Sequence, residues 1–107
     1  MVNEYGVKLD SNGYAPSVIN AFESDACFLC DRMGDLVRHE VFHGSNRQKS
    51  KALGCWVYVC PSCHSMIHGN QNEDWALKKL GQRCAMNWYE WSTEDFRKRF
   101  WRNYLDE

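Results

Sequence analysis

Residues 60–68 read CPSCHSMIH, a short segment that contains two cysteines, a proline and two histidines. A second cysteine pair, CFLC, lies upstream at residues 27–30. Two residues between thiolates allow one tight turn to aim both sulfurs at the same ion, and two such turns complete the four-sulfur shell that Zn²⁺ prefers. The sequence therefore predicts one structural zinc ion bound by Cys27, Cys30, Cys60 and Cys63.

The 107 residues are 44% hydrophobic and 25% charged, which is typical of one globular domain and excludes a disordered or fibrous class. We find no run of 18 apolar residues and no basic leader followed by an apolar stretch, so we expect a cytoplasmic protein without a membrane span. In a reducing compartment, spaced cysteines indicate metal ligands before disulfides. Zinc would then supplement the thin core of a small chain.

The formal net charge is −1, but the charge is uneven along the chain. Residues 1–31 carry a net charge of −4, whereas residues 32–51 carry +3 and residues 78–102 carry +4. The overall balance argues against a strongly basic coat protein for nucleic acid. The two basic stretches can nevertheless grip phosphates locally.

The elements predicted around the cysteine pairs are two strands and a helical turn. Residues 36–42 and 54–59 are rich in branched and aromatic side chains, which favours strands. The polar and basic residues 44–53 between them indicate a loop. Pro61 ends the second strand, and residues 64–68 form a helical turn. We expect a single α+β domain with an N-terminal extension (1–26), a core (27–69) and a helical pair (70–107).

The C-terminal helical pair is predicted from capping residues and periodicity. Asn72 can cap a helix that runs to about Trp88. Ser92 with Asp95 resembles a capping box and starts a second helix over residues 93–104, which buries Phe96 and Phe100. The expected buried stripe of the first helix consists of Trp75, Leu77, Leu80, Cys84 and Trp88.

All four histidines lie between residues 39 and 68. His64 and His68 are four residues apart, so a helix places them on one face. His39 lies on the strand that follows the other cysteine pair. We therefore expect a strand histidine and helix histidines to meet beside the zinc shell, not within it.

The order of these motifs resembles that of the HNH (His-Me finger, ββα-metal) nucleases. The resemblance is carried by LVRHEVFHG at residues 36–44, Asn46-Arg47, Ser50, WVYVCPSCH at residues 56–64 and His68. GYAPS at residues 13–17 and NYL at residues 103–105 are similar to the ends of small HNH-type proteins encoded in bacteriophages and prophages. The resemblance covers most of the chain.

The resemblance implies a small zinc-stabilised ββα-metal core and a metal-dependent endonuclease that hydrolyses phosphodiesters of double-stranded DNA in a bacterial host cell. It makes His39 the general base, with Asn46 orienting it, and His64 and His68 the ligands of a catalytic Mg²⁺ or Mn²⁺ ion. The implied nucleic-acid contacts are Arg38, Arg47, Lys49 and Lys51.

The sequence departs from the family at the strand, and this leaves alternatives open. Many members have a ligand directly before the base, whereas here Arg38 precedes His39. If His39 is instead a ligand, Glu40 occupies the position of the base, and a further option turns Glu40 into solvent. The second functional hypothesis is therefore a weak or inactive zinc module that binds nucleic acid or a host or phage protein, as an inhibitor or adaptor. A third is a plain zinc-stabilised fold whose histidines are structural.

Overall fold

The computed structural model describes residues 1–20 and 25–105. Within these ranges the chain forms one two-stranded sheet, one 3₁₀ turn and four helices, so the α+β class is confirmed. The elements in chain order are β1 (Val37–Glu40), the 3₁₀ turn Gly44–Asn46, α1 (Arg47–Ala52), β2 (Trp56–Val59), α2 (Pro61–Gly69), α3 (Gln71–Tyr89) and α4 (Thr93–Phe100). In the described ranges, every helix is too short or too polar to cross a lipid bilayer.

The two strands are antiparallel, and their register fixes which side chains share a face. Arg38 pairs with Tyr58, and His39 pairs with the fully buried Val57. Because side chains alternate along a strand, His39 lies on the opposite face from Arg38 and Glu40. α2 begins directly after β2, which brings its first turn next to β1.

The predicted loop at residues 44–53 is wrong, because the chain there forms the 3₁₀ turn and α1. The buried Ser50 explains the helix. Its hydroxyl donates to the carbonyl of Cys55 at 2.6 Å and accepts from the backbone N–H of Phe42 at 3.1 Å. α1 is thus tied to the end of β1 and the start of β2 by hydrogen bonds that no local pattern reveals.

The helical pair is present, with corrected bounds. Asn70, not Asn72, caps α3, since its side chain accepts from the N–H groups of Asn72 and Glu73. The capping box of Ser92 and Asp95 is confirmed. α4 ends at Phe100 and not at residue 104.

The buried stripe of α3 is also corrected. Leu77 is buried as predicted, but the buried face continues through Gly81, Gln82 and Ala85. Trp88 is 57% exposed. In that last turn it is Tyr89 that packs, with its ring stacked at 4.7 Å on Tyr5 and on Trp91. Tyr5 is remote in sequence, so the periodicity of α3 could not predict that it packs on Tyr89.

The core lies between the sheet, α2 and the helical pair. Phe42 packs on Phe96, Phe100 and Tyr104, with ring centroids 5.2, 4.6 and 5.5 Å away. The buried Gln82 of α3 anchors the C-terminal tail by accepting from the Tyr104 N–H and donating to Asn103, both at 2.7 Å. Other fully buried side chains are Val41, Val57, Val59 and Ile67.

The N-terminal extension is bonded to the sheet and to α1. The Ala15 N–H donates to the Lys51 carbonyl at 3.0 Å, and Ser17 Oγ donates to the Trp56 carbonyl at 2.6 Å. The Val18 N–H donates to the Gly54 carbonyl at 2.9 Å. These bonds bring residue 14 to the same side of the molecule as Glu40.

Gly54 is the tightest point of this arrangement. Its φ is +78°, and a Cβ there would overlap the carbonyl oxygen of Pro16. We expect Gly54→Ala to lower the free energy of unfolding by about 2 kcal/mol or more, because the left-handed backbone alone costs an L-residue roughly 1–2 kcal/mol. Urea denaturation measures the loss.

Gly44→Ala is the matched control. Gly44 has a φ of +72°, but a Cβ would meet nothing within 4 Å. Its loss should be limited to the backbone cost, about 1 kcal/mol. Equal losses at the two positions would contradict the proposed close approach of Pro16.

Candidate metal centre

The four cysteines predicted as ligands converge on one point. Their sulfur atoms all lie within 4.8 Å of one another, and the sulfurs of Cys30 and Cys60 are 3.7 Å apart. A tetrahedron with metal–sulfur bonds of about 2.3 Å has edges of about 3.8 Å. The four side chains are therefore close enough to hold one metal ion.

Local structure aims both pairs. Cys60 caps α2, its sulfur accepts from the Cys63 N–H, and Pro61 occupies the first helical turn. In the other pair, the Cys27 N–H donates to the Arg32 carbonyl at 2.8 Å and closes a tight turn. The Phe28 N–H donates to the Tyr58 carbonyl at 2.9 Å and docks that turn on β2.

The thiol pKa values diverge within the cluster. Burial raises the pKa of Cys27, but backbone hydrogen bonds from Cys60, Cys30 and Leu29 outweigh it and lower the pKa to about 6. Burial and the neighbouring cysteines raise the pKa of Cys63 to about 12. If all four side chains are thiolates, a cation is needed to balance their charge, and a metal ion would supply it.

Three histidines form a second cluster beside the first. Ring nitrogens of His39 on β1 and of His64 and His68 on α2 lie within 4.8 Å of one another. The His64 and His68 Nε2 atoms are 3.3 Å apart, and the His39 ring centroid is 5.4 and 5.5 Å from theirs. The expected meeting of strand and helix histidines, outside the cysteine shell, is present in the structure.

His39 is 1% exposed, and its Nε2 has no hydrogen-bond partner among the described residues. A buried polar atom without a partner costs roughly 1–3 kcal/mol, and a metal ion at the cluster would remove that cost. Burial, together with the nearby imidazoles, lowers the pKa of His39 to about 4. Burial also lowers the pKa of His64. Both rings are therefore neutral at pH 7, the form that binds metals.

His43 and Asp74 belong to the same region and were not predicted. His43 Nε2 lies 3.0 Å from Asp74 Oδ1, and its ring centroid is 5.6 Å from that of His68. Asp74, in the first turn of α3, also accepts from Lys78 at 2.8 Å. Burial raises the pKa of Asp74, but Lys78 and His43 outweigh it and hold that pKa below its usual value. The sequence proximity of His43 to His39, four residues away, could have indicated that His43 lies near the cluster. No local pattern indicated Asp74.

Glu40 is held inside the cleft and does not turn into solvent. Its side chain is 10% exposed. Oε2 accepts from the Tyr14 hydroxyl at 2.7 Å, and Oε1 accepts from Arg47 Nε at 2.7 Å. Burial and this carboxylate raise the pKa of Tyr14 to about 12.

The other predicted contacts divide into two groups. Asn46 and Lys49 point to α4, where they donate to the carbonyls of Phe100 and Arg99 at 2.9 and 2.6 Å. Asn46 is therefore engaged away from His39. Arg38 forms an ion pair with Asp10 at 2.8 Å and lies 4.2 Å from the Tyr14 ring centroid.

A cleft of about 890 Å³ runs over the histidine cluster. Among its lining residues are Glu40, His43, Arg47, Lys51, His64 and His68. Arg38 also contributes to its wall, although its charge is paired with Asp10. The cleft thus combines an imidazole cluster, a carboxylate and basic side chains in one concave surface.

Comparison of the chain with protein-family models, curated proteins and solved structures found no match. The resemblance to HNH nucleases therefore rests on the order of the motifs. Function has to be argued from the two clusters and the cleft.

We expect one tightly bound metal ion at the cysteine cluster. Cys60→Ser should abolish its retention and lower the thermal midpoint of unfolding by more than 10 °C, because metal binding contributes directly to folding. Elemental analysis and thermal denaturation measure the two effects.

Cys84→Ser is the matched control, since Cys84 lies outside the cluster in α3. It should retain the metal ion. Loss of metal from Cys84→Ser, or full retention by Cys60→Ser, would contradict the assignment.

Proposed function

We propose that the protein is a metal-dependent endonuclease of the ββα-metal kind that hydrolyses DNA phosphodiesters and carries a structural zinc ion. The observation that carries the proposal is the convergence of His39 from β1 with His64 and His68 from α2 beneath a cleft with basic walls. The unpartnered Nε2 of the buried His39 is a second argument for an ion there.

Zinc suits the cysteine cluster because four thiolates match its preference for a closed tetrahedral shell. Such a shell leaves no position for water or substrate, so we assign it a structural role.

The histidine cluster offers nitrogen donors, and this affects the choice of the second ion. Mg²⁺ prefers oxygen ligands, whereas imidazole suits first-row transition ions. We therefore favour Mn²⁺ or another transition ion over Mg²⁺. When bound, such an ion lowers the pKa of a coordinated water and offsets negative charge on the scissile phosphate.

The positions of His39 and Glu40 favour the second of the two assignments at the strand. A general base must reach a water in the cleft. His39 is buried, whereas Glu40 lines the cleft. Glu40 leaves β1 on the opposite face from His39, but it is the last residue of the strand and lines the same cleft as His64 and His68. We therefore assign His39 as a ligand and Glu40 as the proton acceptor, with Tyr14 and Arg47 orienting its carboxylate.

Arg47 and Lys51 are the best placed of the basic residues to hold phosphates. Both line the cleft. Arg47 uses Nε for Glu40, and its 61% exposed side chain keeps further N–H donors for a phosphate. Arg38 and Lys49, which are already engaged, are assigned to the framework.

Glu40→Gln should reduce nicking of supercoiled plasmid by about 100-fold or more, because it removes the proton acceptor while preserving its shape. His68→Ala, at an exposed ligand position, should reduce nicking similarly and also weaken binding of the second metal. Nicking is measured with Mg²⁺, Mn²⁺, Ni²⁺ and Zn²⁺, at low and high salt.

Arg83→Ala is the matched control, because Arg83 is an exposed basic residue on α3 that does not line the cleft. It should nick plasmid like the wild type. Wild-type protein that does not nick plasmid with any of the four ions, or that cannot be distinguished from Glu40→Gln, would overturn the endonuclease.

The second candidate is a zinc module without catalysis that binds nucleic acid or a host or phage protein. It is favoured by the engagement of both Glu40 oxygens and by the Arg38–Asp10 ion pair, which withdraw two groups from chemistry. The acidic residues 1–31 could engage a basic partner.

Metal counting separates the two candidates. After dialysis against Mn²⁺, the endonuclease should hold one zinc and one manganese per chain, and His68→Ala should hold zinc alone. One zinc per chain in both proteins would favour the module, or a fold whose histidines are structural.

A further inference from the structure

An exposed tryptophan follows α4. Trp101 is 76% exposed, whereas Trp56 and Trp91 are buried. Its φ is +67°, a conformation that is uncommon for large side chains and that glycine usually supplies at helix ends. Among the described residues with positive φ, it is the only aromatic one. The chain thus keeps a large ring in solvent where glycine would fit the backbone better.

The Lys49 side chain lies over one face of the Trp101 ring. Its ammonium lies 5.1 Å from the Trp101 ring centroid and donates to the Arg99 carbonyl at 2.6 Å. This cation–π contact engages the ring with a positive charge. The high exposure of Trp101 leaves much of its surface open to a flat ligand.

The surroundings of Trp101 are basic. The last turn of α4 contains Arg97, Lys98 and Arg99, and Arg102 follows. Arg97 and Arg99 form ion pairs with Glu94 and Glu4, and Arg102 lies over the Trp75 ring. Lys98 and Arg102 are exposed. An exposed aromatic ring beside several cations is the combination that proteins use to stack single-stranded bases and hold their phosphates.

The residue before Trp101 is bonded to the segment that follows the cleft residue His43. Asn46 donates to the carbonyl of Phe100, the neighbour of Trp101, and Asn46 is three residues from the cleft residue His43. Three residues span at most about 11 Å. One strand of DNA rises about 3.4 Å per nucleotide, so that span corresponds to about three nucleotides.

We propose that Trp101 stacks on an unpaired base of a single-stranded segment that flanks the cleft. The inference rests on the proposed function and deepens it, because it names a nucleic acid with unpaired nucleotides as the substrate class. Base pairing and stacking occlude the base faces inside a duplex, so the site distinguishes single strands from duplexes.

The test measures binding by fluorescence anisotropy of a labelled 20-nucleotide single strand and of its duplex, with zinc-loaded protein and no other divalent ion. Trp101→Ala should weaken single-strand binding by roughly 5- to 100-fold, the effect of losing one stacked base. Duplex binding should change less than about 2-fold, because no base is stacked there. Trp101→Phe should retain most of the affinity.

Two further variants keep the result interpretable. Trp88→Ala removes another exposed tryptophan, on α3, and should bind like the wild type. Trp101→Gly relieves the left-handed backbone, so its thermal midpoint should equal or exceed that of the wild type while its single-strand affinity falls.

Unchanged single-strand binding by Trp101→Ala, an equal loss in Trp88→Ala, an equal loss on the duplex, or no single-strand binding by the wild type would each overturn the stacking site. Cleavage assays separate the two proposals. Trp101-dependent binding with cleavage of neither the plasmid nor the labelled single strand refutes the endonuclease and leaves the stacking site standing, whereas cleavage with unchanged Trp101→Ala binding refutes the stacking site alone.

Discussion

The convergence of four cysteine side chains joins two segments of the chain and sets the geometry of the remainder. Cys60 is both a member of the cluster and the N-cap of α2. The position of the cysteine cluster therefore determines where α2 begins and constrains the direction of its first turns. His64 and His68 lie on those turns, so a contact made by sulfur determines where two imidazoles point. The core alone, in a chain of this size, would leave that helix less firmly placed.

The opposite side of the histidine cluster depends on strand register. His39 faces α2 because it pairs with Val57, and a slip of one residue would turn it to the other face and bring Glu40 inward. Ser50 holds the register by bonding to the backbone of Phe42 and of Cys55, one at each end of the hairpin connection. A buried hydroxyl on a short helix therefore protects the alignment of the candidate site.

Much of this arrangement follows from local chemistry and could be predicted. The spacing of the cysteine pairs, the i, i+4 histidines and the capping box of Ser92 each depend on residues within a few positions of one another. The failures involve distant partners. α1 was missed because the hydroxyl of Ser50 is hydrogen-bonded to residues next to both strands. The ion pair of Arg38 with Asp10 and the bond from Lys49 to the Arg99 carbonyl were also not foreseen, because these partners are remote in sequence. Likewise, Trp88 could not be told from Tyr89 without knowing where Tyr5 lies.

Cys63 and His64 are consecutive, so the two clusters meet across a single peptide bond. On the proposed metal assignment, this adjacency makes loading sequential. An unfolded chain offers scattered thiols and imidazoles, and thiolates capture soft ions such as zinc most strongly. Their capture would fix the start of α2 and so bring the nitrogen donors together for a harder ion. Each site would thus receive its own ion because the cysteines bind zinc first. The histidine site would not have to compete with the cysteine site for zinc.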